Sequence, residues 1–210
     1  IFLLGNGDGT FQEPITNATP APVTAVAVGD FNGDGNLDLA GVTQSSPTSS
    51  TMMIFLGTGG FYLPAGSISV GTQVTQLAVG DFNKDGKTDI LALDGGYYGT
   101  GSGALELLAG NGNGSFQAPA ILMQSRFLYR MALADLNADG VLDLVAGGQT
   151  DNYAFPIFVL MGKLDGGFGE AQQLVSDFGP HDVAAGDLTG DGIPDLVVAH
   201  CCGDTYLGLY

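Results

Sequence analysis

Positive charge is scarce in this chain: five lysines and arginines face 22 aspartates and glutamates, for a formal charge of −17 over 210 residues. Direct nucleic-acid binding is therefore not expected, because neutralising a phosphate backbone takes clustered Lys and Arg. Cysteine is limited to the neighbours Cys201 and Cys202. An adjacent pair supplies neither a disulfide framework nor a zinc-ligand spacing. It reads as two small buried residues near a strand, with a vicinal disulfide or cysteines outside the chain as the alternatives. No apolar run reaches the roughly 18 residues of a membrane span, and no signal-peptide pattern is present. Of the two histidines, His181 reads as a packing or capping residue, and His200, beside Cys201, lacks a third partner for a Cys–His nucleophile. Nucleophile-elbow, zincin and phosphate-loop patterns are missing. The chain reads as non-enzymatic.

Glutamate is scarce as well. Only Glu13, Glu106 and Glu170 are present, so 19 of the 22 acids are aspartate. A solvated acidic face draws heavily on Glu; an Asp excess among glycines and asparagines points to turns or to ligands for a hard cation. Glycine is abundant, 35 residues, without the every-third spacing of collagen, so it also points to turns. With 45% hydrophobic residues the chain can bury a core.

What organises the chain is a repeat. Four segments align: VAVGDFNGDGNLDLAGV from Val26, LAVGDFNKDGKTDILAL from Leu77, MALADLNADGVLDLVAG from Met131 and VAAGDLTGDGIPDLVVA from Val183. Their leading aspartates, Asp30, Asp81, Asp135 and Asp187, are 51, 54 and 52 residues apart. A second marker, a glycine turn followed by Phe11, Phe61, Phe116 or Phe168, recurs at intervals of 50, 55 and 52. Each period reads as four short strands: in the first, Val23 to Gly29, Leu37 to Val42, Met52 to Leu56 and about Gly66 to Val70. TQSSPTSST from Thr43 reads as a polar loop between strands. A four-stranded antiparallel sheet per repeat is the blade of a β-propeller. Runs such as LDLAGV and LDLVVA are apolar nearly throughout, as expected of sheets covered on both faces. The fold class is thus all-β, with about four blades: partial at 1–22, whole at 23–73, 74–126 and 127–180, partial at 181–210. Third-strand sequence is present at both ends, so a closed four-blade ring is not expected. The chain is expected to be part of a longer one, or to complete its open edges with a neighbouring copy.

The Asp loop has the pattern D-x-N-x-D-G-x-x-D. Side-chain oxygens come from Asp30, Asn32, Asp34 and Asp38; Asp81, Asn83, Asp85 and Asp89; Asp135, Asn137, Asp139 and Asp143; and Asp187, Thr189, Asp191 and Asp195. The seventh residues, Asn36, Lys87, Val141 and Ile193, would add a backbone carbonyl. Calcium takes six to eight oxygens at about 2.3–2.6 Å, and alternate side chains on a curled loop converge on one point. The sixth-position glycine permits the bend. An EF-hand needs Glu at position twelve and flanking helices; here that position is Gly41, Ala92, Ala146 or Val198 and the flanks are strand-like. Four Ca²⁺ ions would move the formal charge from −17 to −9. With Thr189 in place of Asn and Pro194 before the last Asp, the fourth loop is expected to bind most weakly.

The motif GDFNGDGNLDL, together with GTFQEP, GGFYLP and GSFQAP, resembles the FG-GAP (VCBS) repeats of integrin α-subunits and many bacterial secreted proteins. The resemblance implies a propeller with calcium loops between the first and second strands of a blade. It implies an extracellular or cell-surface scaffold for adhesion, or for binding a protein or glycan. A surface-layer or fibre subunit, and an ancillary domain of a secreted carbohydrate-active enzyme, are the rival expectations. Asn17-Ala-Thr19 and Asn113-Gly-Ser115 are glycosylation sequons.

Overall fold

The computed structural model describes residues 3–16, 19–59, 61–96, 102–174, 179–200 and 207–209, the side chains of Ser45 and 207–209 excepted. Asn17, Cys201 and Cys202 lie outside the described residues. Every regular element within them is a strand. The first sheet is β1 (Val23–Gly29), β2 (Asp38–Ser46), β3 (Ser49–Gly57) and β4 (Tyr62–Val70). The second is β5 (Val74–Gly80), β6 (Asp89–Asp94), β7 (Gly103–Leu108) and β8 (Ala120–Ser125). The third is β9 (Phe127–Ala134), β10 (Asp143–Gln149), β11 (Ile157–Leu160) and β12 (Gln172–Leu174). The fourth is β13 (Pro180–Gly186), β14 (Asp195–His200) and β15 (Leu207–Leu209). Each is an antiparallel meander in which sequence neighbours are sheet neighbours. The sheets stack in chain order as propeller-like blades and do not close into a ring.

Three apolar layers hold the stack, one between each pair of consecutive sheets. β6 shows how one strand serves two layers. Its side chains alternate in direction, so Ile90 and Ala92 join Val42, Met52 and Ile54 of the first sheet. Leu91 and Leu93 join Leu128, Met131, Leu144 and Phe158 of the third. β10 repeats the arrangement: Leu144 and Ala146 face back, and Val145 faces forward to Val183 and Val198. This is why every residue of β6 is buried and why its sequence shows no polar alternation. Each such Leu or Ile contributes about 1.5–3 kcal/mol on full burial.

The backward face of the first sheet is open. Val26 and Val28 are 62% and 50% exposed, whereas Met131 and Val183, at the repeat position of Val26, are 4% and 5% exposed. Residues 3–16 form a turn with an isolated bridge between Gly5 and Phe11. No strand is assigned within this segment among the described residues, and Ile1 and Phe2, where the expected third strand begins, lie outside them.

The TQSSPTSST segment departs from the polar loop expected. It extends β2 and β3 to a two-residue turn at Pro47–Thr48, with Ser46 opposite Ser49. Polar residues hold strand here because they have partners: the Ser50 hydroxyl donates to the Thr72 carbonyl at 2.9 Å and the Thr43 hydroxyl to the Thr51 carbonyl at 3.3 Å.

Candidate metal centres

The four Asp loops join the first strand of each sheet to the second, all at one end of the stack. Two left-handed bends curl each loop. The sixth residues, Gly35, Gly86, Gly140 and Gly192, have φ of 83°, 80°, 83° and 86°. The fourth residues, Gly33, Lys84, Ala138 and Gly190, have φ of 75°, 60°, 59° and 77°. The second bend is not legible in sequence, because two of the four loops place a side chain where glycine is favoured.

The first-position aspartate is the hub. Asp30 accepts from the Gly33 amide at 2.8 Å with one oxygen and from the Gly35 amide at 2.9 Å with the other. Asp81, Asp135 and Asp187 accept from Gly86, Gly140 and Gly192 at 2.9, 2.8 and 2.9 Å. The third-position amide oxygen accepts from the fifth-position N–H: Asn32 from Asp34 at 2.9 Å, Asn83 from Asp85 at 2.9 Å and Asn137 from Asp139 at 3.0 Å. Among the described residues Thr189 makes no such side-chain bond. The fifth-position aspartates Asp34, Asp85, Asp139 and Asp191 accept from the seventh-position N–H of Asn36, Lys87, Val141 and Ile193 at 2.7, 3.0, 2.8 and 2.9 Å.

The ninth-position aspartate serves a different purpose. Asp38, Asp89 and Asp143 are fully buried. Asp38 accepts from the Phe31 amide at 2.7 Å and, with its other oxygen, from Gly57 at the end of β3 at 2.8 Å. Asp89 bridges Phe82 to Gly110, and Asp143 bridges Leu136 to Gly162, in the same way. Each staples its loop to the third strand. Asp195 accepts from Leu188 and Thr189 at 2.9 and 3.1 Å.

The Phe marker has a structural role that its spacing did not disclose. Phe116, in the β7–β8 turn, meets Phe31 edge-on at 5.3 Å, and Phe168, in the β11–β12 turn, meets Phe82 at 5.9 Å. Beside them the Gly114 and Gly167 amides donate to the Phe31 and Phe82 carbonyls at 2.9 and 2.7 Å. The first and second Asp loops are thus each clasped by the hairpin of the following sheet.

Charge is held at the rim of the loops. The Asn36 N–H, then the Asn32 amide, lowers the pKa of Asp34. Slight burial pushes Asp85 up, but the Lys87 amide and ammonium outweigh it and leave the group lowered. The Gly192 N–H leads the lowering of Asp187. These carboxylates are ionised at neutral pH, the form that ligates metal. Burial raises Asp89, with Asp85 adding repulsion.

A hard cation fits this donor chemistry. Every side-chain donor is oxygen, no thiol or imidazole is among them, and the amides engaging a carboxylate oxygen leave it a second lone pair. Among the described residues no three acidic, histidine or cysteine side chains are already gathered into a metal-sized group. An ion would therefore have to draw the first-, fifth- and ninth-position carboxylates closer than they stand. His181 lies away from the loops, stacked on Tyr129 at 5.0 Å. Asn113 is exposed, and its side chain accepts from the Ser115 amide at 3.0 Å.

The family model for the FG-GAP-like repeat matches residues 1–41, 30–92 and 135–198. No curated protein matches the chain.

Proposed function

Because the chain belongs to the FG-GAP-like repeat family, we propose that it is a non-enzymatic, calcium-stabilised scaffold that works outside the cell and binds a protein or glycan ligand. The observation that carries the reading is the fourfold recurrence of one loop conformation with one oxygen donor set. Asp30, Asn32, Asp34, Asp38 and the Asn36 carbonyl would hold the first ion, and the matching residues the other three. Calcium supplies charge neutralisation: without it each loop confines three carboxylates with few cations nearby, Lys87 being the one that pairs with a loop acid among the described residues, 3.3 Å from Asp85. Calcium is plentiful outside cells, which keeps weak structural sites filled there. The described residues contain no helix long and apolar enough to cross a membrane.

Elemental analysis after chelator stripping and dialysis against millimolar calcium tests the reading. It predicts about four calcium ions per chain, by one ion per loop; a metal-free chain refutes it.

One observation favours a second reading, assembly of chains into a longer stack: the open apolar face at Val26 and Val28. Light scattering across a concentration series separates the two, since a stack grows with concentration and a lone scaffold does not.

A further inference from the structure

At the end of the stack opposite the Asp loops, short connectors join the first sheet to the second and the second to the third. At the first junction a carboxylate organises the connector. Asp94, at the end of β6, accepts from the Thr72 amide at 2.6 Å, the Gln73 amide at 2.8 Å and the Gly96 amide at 3.0 Å. The next junction is built on the same register but without that acid. Asp94 pairs with Val74, and Gly148 pairs with Leu128. Gly148 thus stands where Asp94 stood, and Arg126, two residues before Leu128, stands where Thr72 stood. No side chain can be restored at Gly148: a Cβ there would lie 2.8 Å from the Phe127 carbonyl and from the Phe158 ring.

The exchange removes an internal anion and adds a cation. Arg126 makes no ion pair among the described residues, and its Nε is buried without a hydrogen-bond partner. Its guanidinium is pinned under an aromatic lid, 4.6 Å from the Tyr153 ring and 5.6 Å from Phe127. Tyr153 is held there in the left-handed region, φ 62°, by a turn in which the Thr150 amide donates to Ala154 at 2.9 Å and the Tyr153 amide to Thr150 at 3.0 Å. A non-glycine residue in that conformation is strained, and such strain gathers at ligand sites. Beside Arg126 opens a recess of about 310 Å³, lined by Ser102, Gln124, Thr150, Asp151 and Gln173.

We propose that this recess between the second and third sheets binds a sugar acid, its carboxylate taken by Arg126 and its hydroxyls by the surrounding hydroxyl, amide and Asp151 side chains. A guanidinium is the side chain best shaped for a carboxylate. One acid and two amides beside it suit vicinal hydroxyls, whereas Asp151 opposes a bare anion. The volume is at the small end of ligand pockets, of the order expected for a single sugar ring. The chain's charge of −17 works against any anion, so recognition rests on Arg126 locally. The proposal rests on reading the chain as a ligand-binding scaffold, but its site is separate from the loops.

Calorimetric titration of the calcium-equilibrated chain with sodium glucuronate, glucose and N-acetyl-aspartate tests it. Glucuronate is expected to bind about tenfold or more tightly than either of the others, and Arg126→Gln to weaken it by about tenfold or more. Arg126→Lys keeps charge and stem, guards against a folding failure, and is expected to weaken binding less. Equal binding of glucose, equal binding of N-acetyl-aspartate, indifference to Arg126→Gln in a folded variant, or no heat with glucuronate each overturns the proposal. A chain that takes up calcium yet ignores glucuronate sinks this site alone. One that binds glucuronate without taking up calcium sinks the ion reading alone.

Discussion

Asp34 and Asp38 belong to one loop and answer to different forces. Asp34 lies at the exposed rim, its charge held by the Asn36 N–H and the Asn32 amide. Asp38 is buried, and each of its oxygens accepts from a backbone amide with one of its two lone pairs. Asp34→Ala is expected to cost the first loop its calcium while leaving the chelator-treated chain's melting temperature nearly unchanged. Asp38→Ala strands two buried amides, so it is expected to cost about 2–5 kcal/mol even in chelator, and the first loop's calcium besides. Denaturant melts of both variants in calcium and in chelator distinguish the roles; equal behaviour would contradict them. Thr189 is the other informative residue. Asn32, Asn83 and Asn137 each fix the fifth-position amide, a bond Thr189 does not make among the described residues. Thr189→Asn is expected to tighten the weakest calcium step about three- to tenfold, read by calorimetry.

At the scale of elements, the β7–β8 and β11–β12 hairpins close on the Asp loops of the sheets before them. Phe116→Ala removes the ring against Phe31 and is expected to cost about 1–3 kcal/mol, less than a fully buried Phe. It is also expected to weaken calcium at a loop it does not belong to. Phe61→Ala is the control, because Phe61 is 77% exposed and clasps no loop among the described residues. Glu106, on β7, accepts from the Gly71 amide at 3.0 Å at the junction that Asp94 organises. Burial, then repulsion from Asp94, raises its pKa against the favourable Gly71 bond. A carboxyl raised in the folded chain binds its proton more tightly there. Stability is therefore fullest below the unfolded value of about 4.3 and is lost as pH rises through the folded value. Glu106→Gln removes that loss, so its melting temperature should climb relative to the parent as pH rises above the unfolded value and run parallel once the folded carboxyl is ionised. A difference that shrinks as pH rises would contradict the assignment.

Much of this element-level order was legible beforehand, for a physical reason. A strand buried on both faces cannot hide its apolar run, and the stacking of sheets was read from such runs. The two that carried the reading, DLAGV in β2 and DLVVA in β14, lie in the end sheets, and the strands covered on both faces are β6 and β10. The D-x-N-x-D-G-x-x-D spacing disclosed the loops because Asp, Asn and Gly at these intervals favour a tight curl. Three things were hidden. The fourth-position bend has no residue signature, since Lys84 and Ala138 adopt it under the loop's own hydrogen bonds. The Phe clasp joins residues of different repeats, 85 positions apart for Phe31 and Phe116, and a marker's period does not tell what it touches. The polar tips of β2 and β3 read as loop because their partners, Thr72 above all, lie in the next connector.

For the whole molecule, consecutive sheets bury one another and the first two loops are clasped from the next sheet, so bound calcium is expected to strengthen the cohesion of the stack. The most direct measurement is the melting temperature of one preparation in millimolar calcium and after chelator treatment at equal ionic strength. A site held a hundredfold above its dissociation constant adds about 2.7 kcal/mol. Four such sites are expected to raise the melting temperature on the order of 20 °C, with the rise reduced in Asp34→Ala. Superimposed melts with and without calcium would contradict the account.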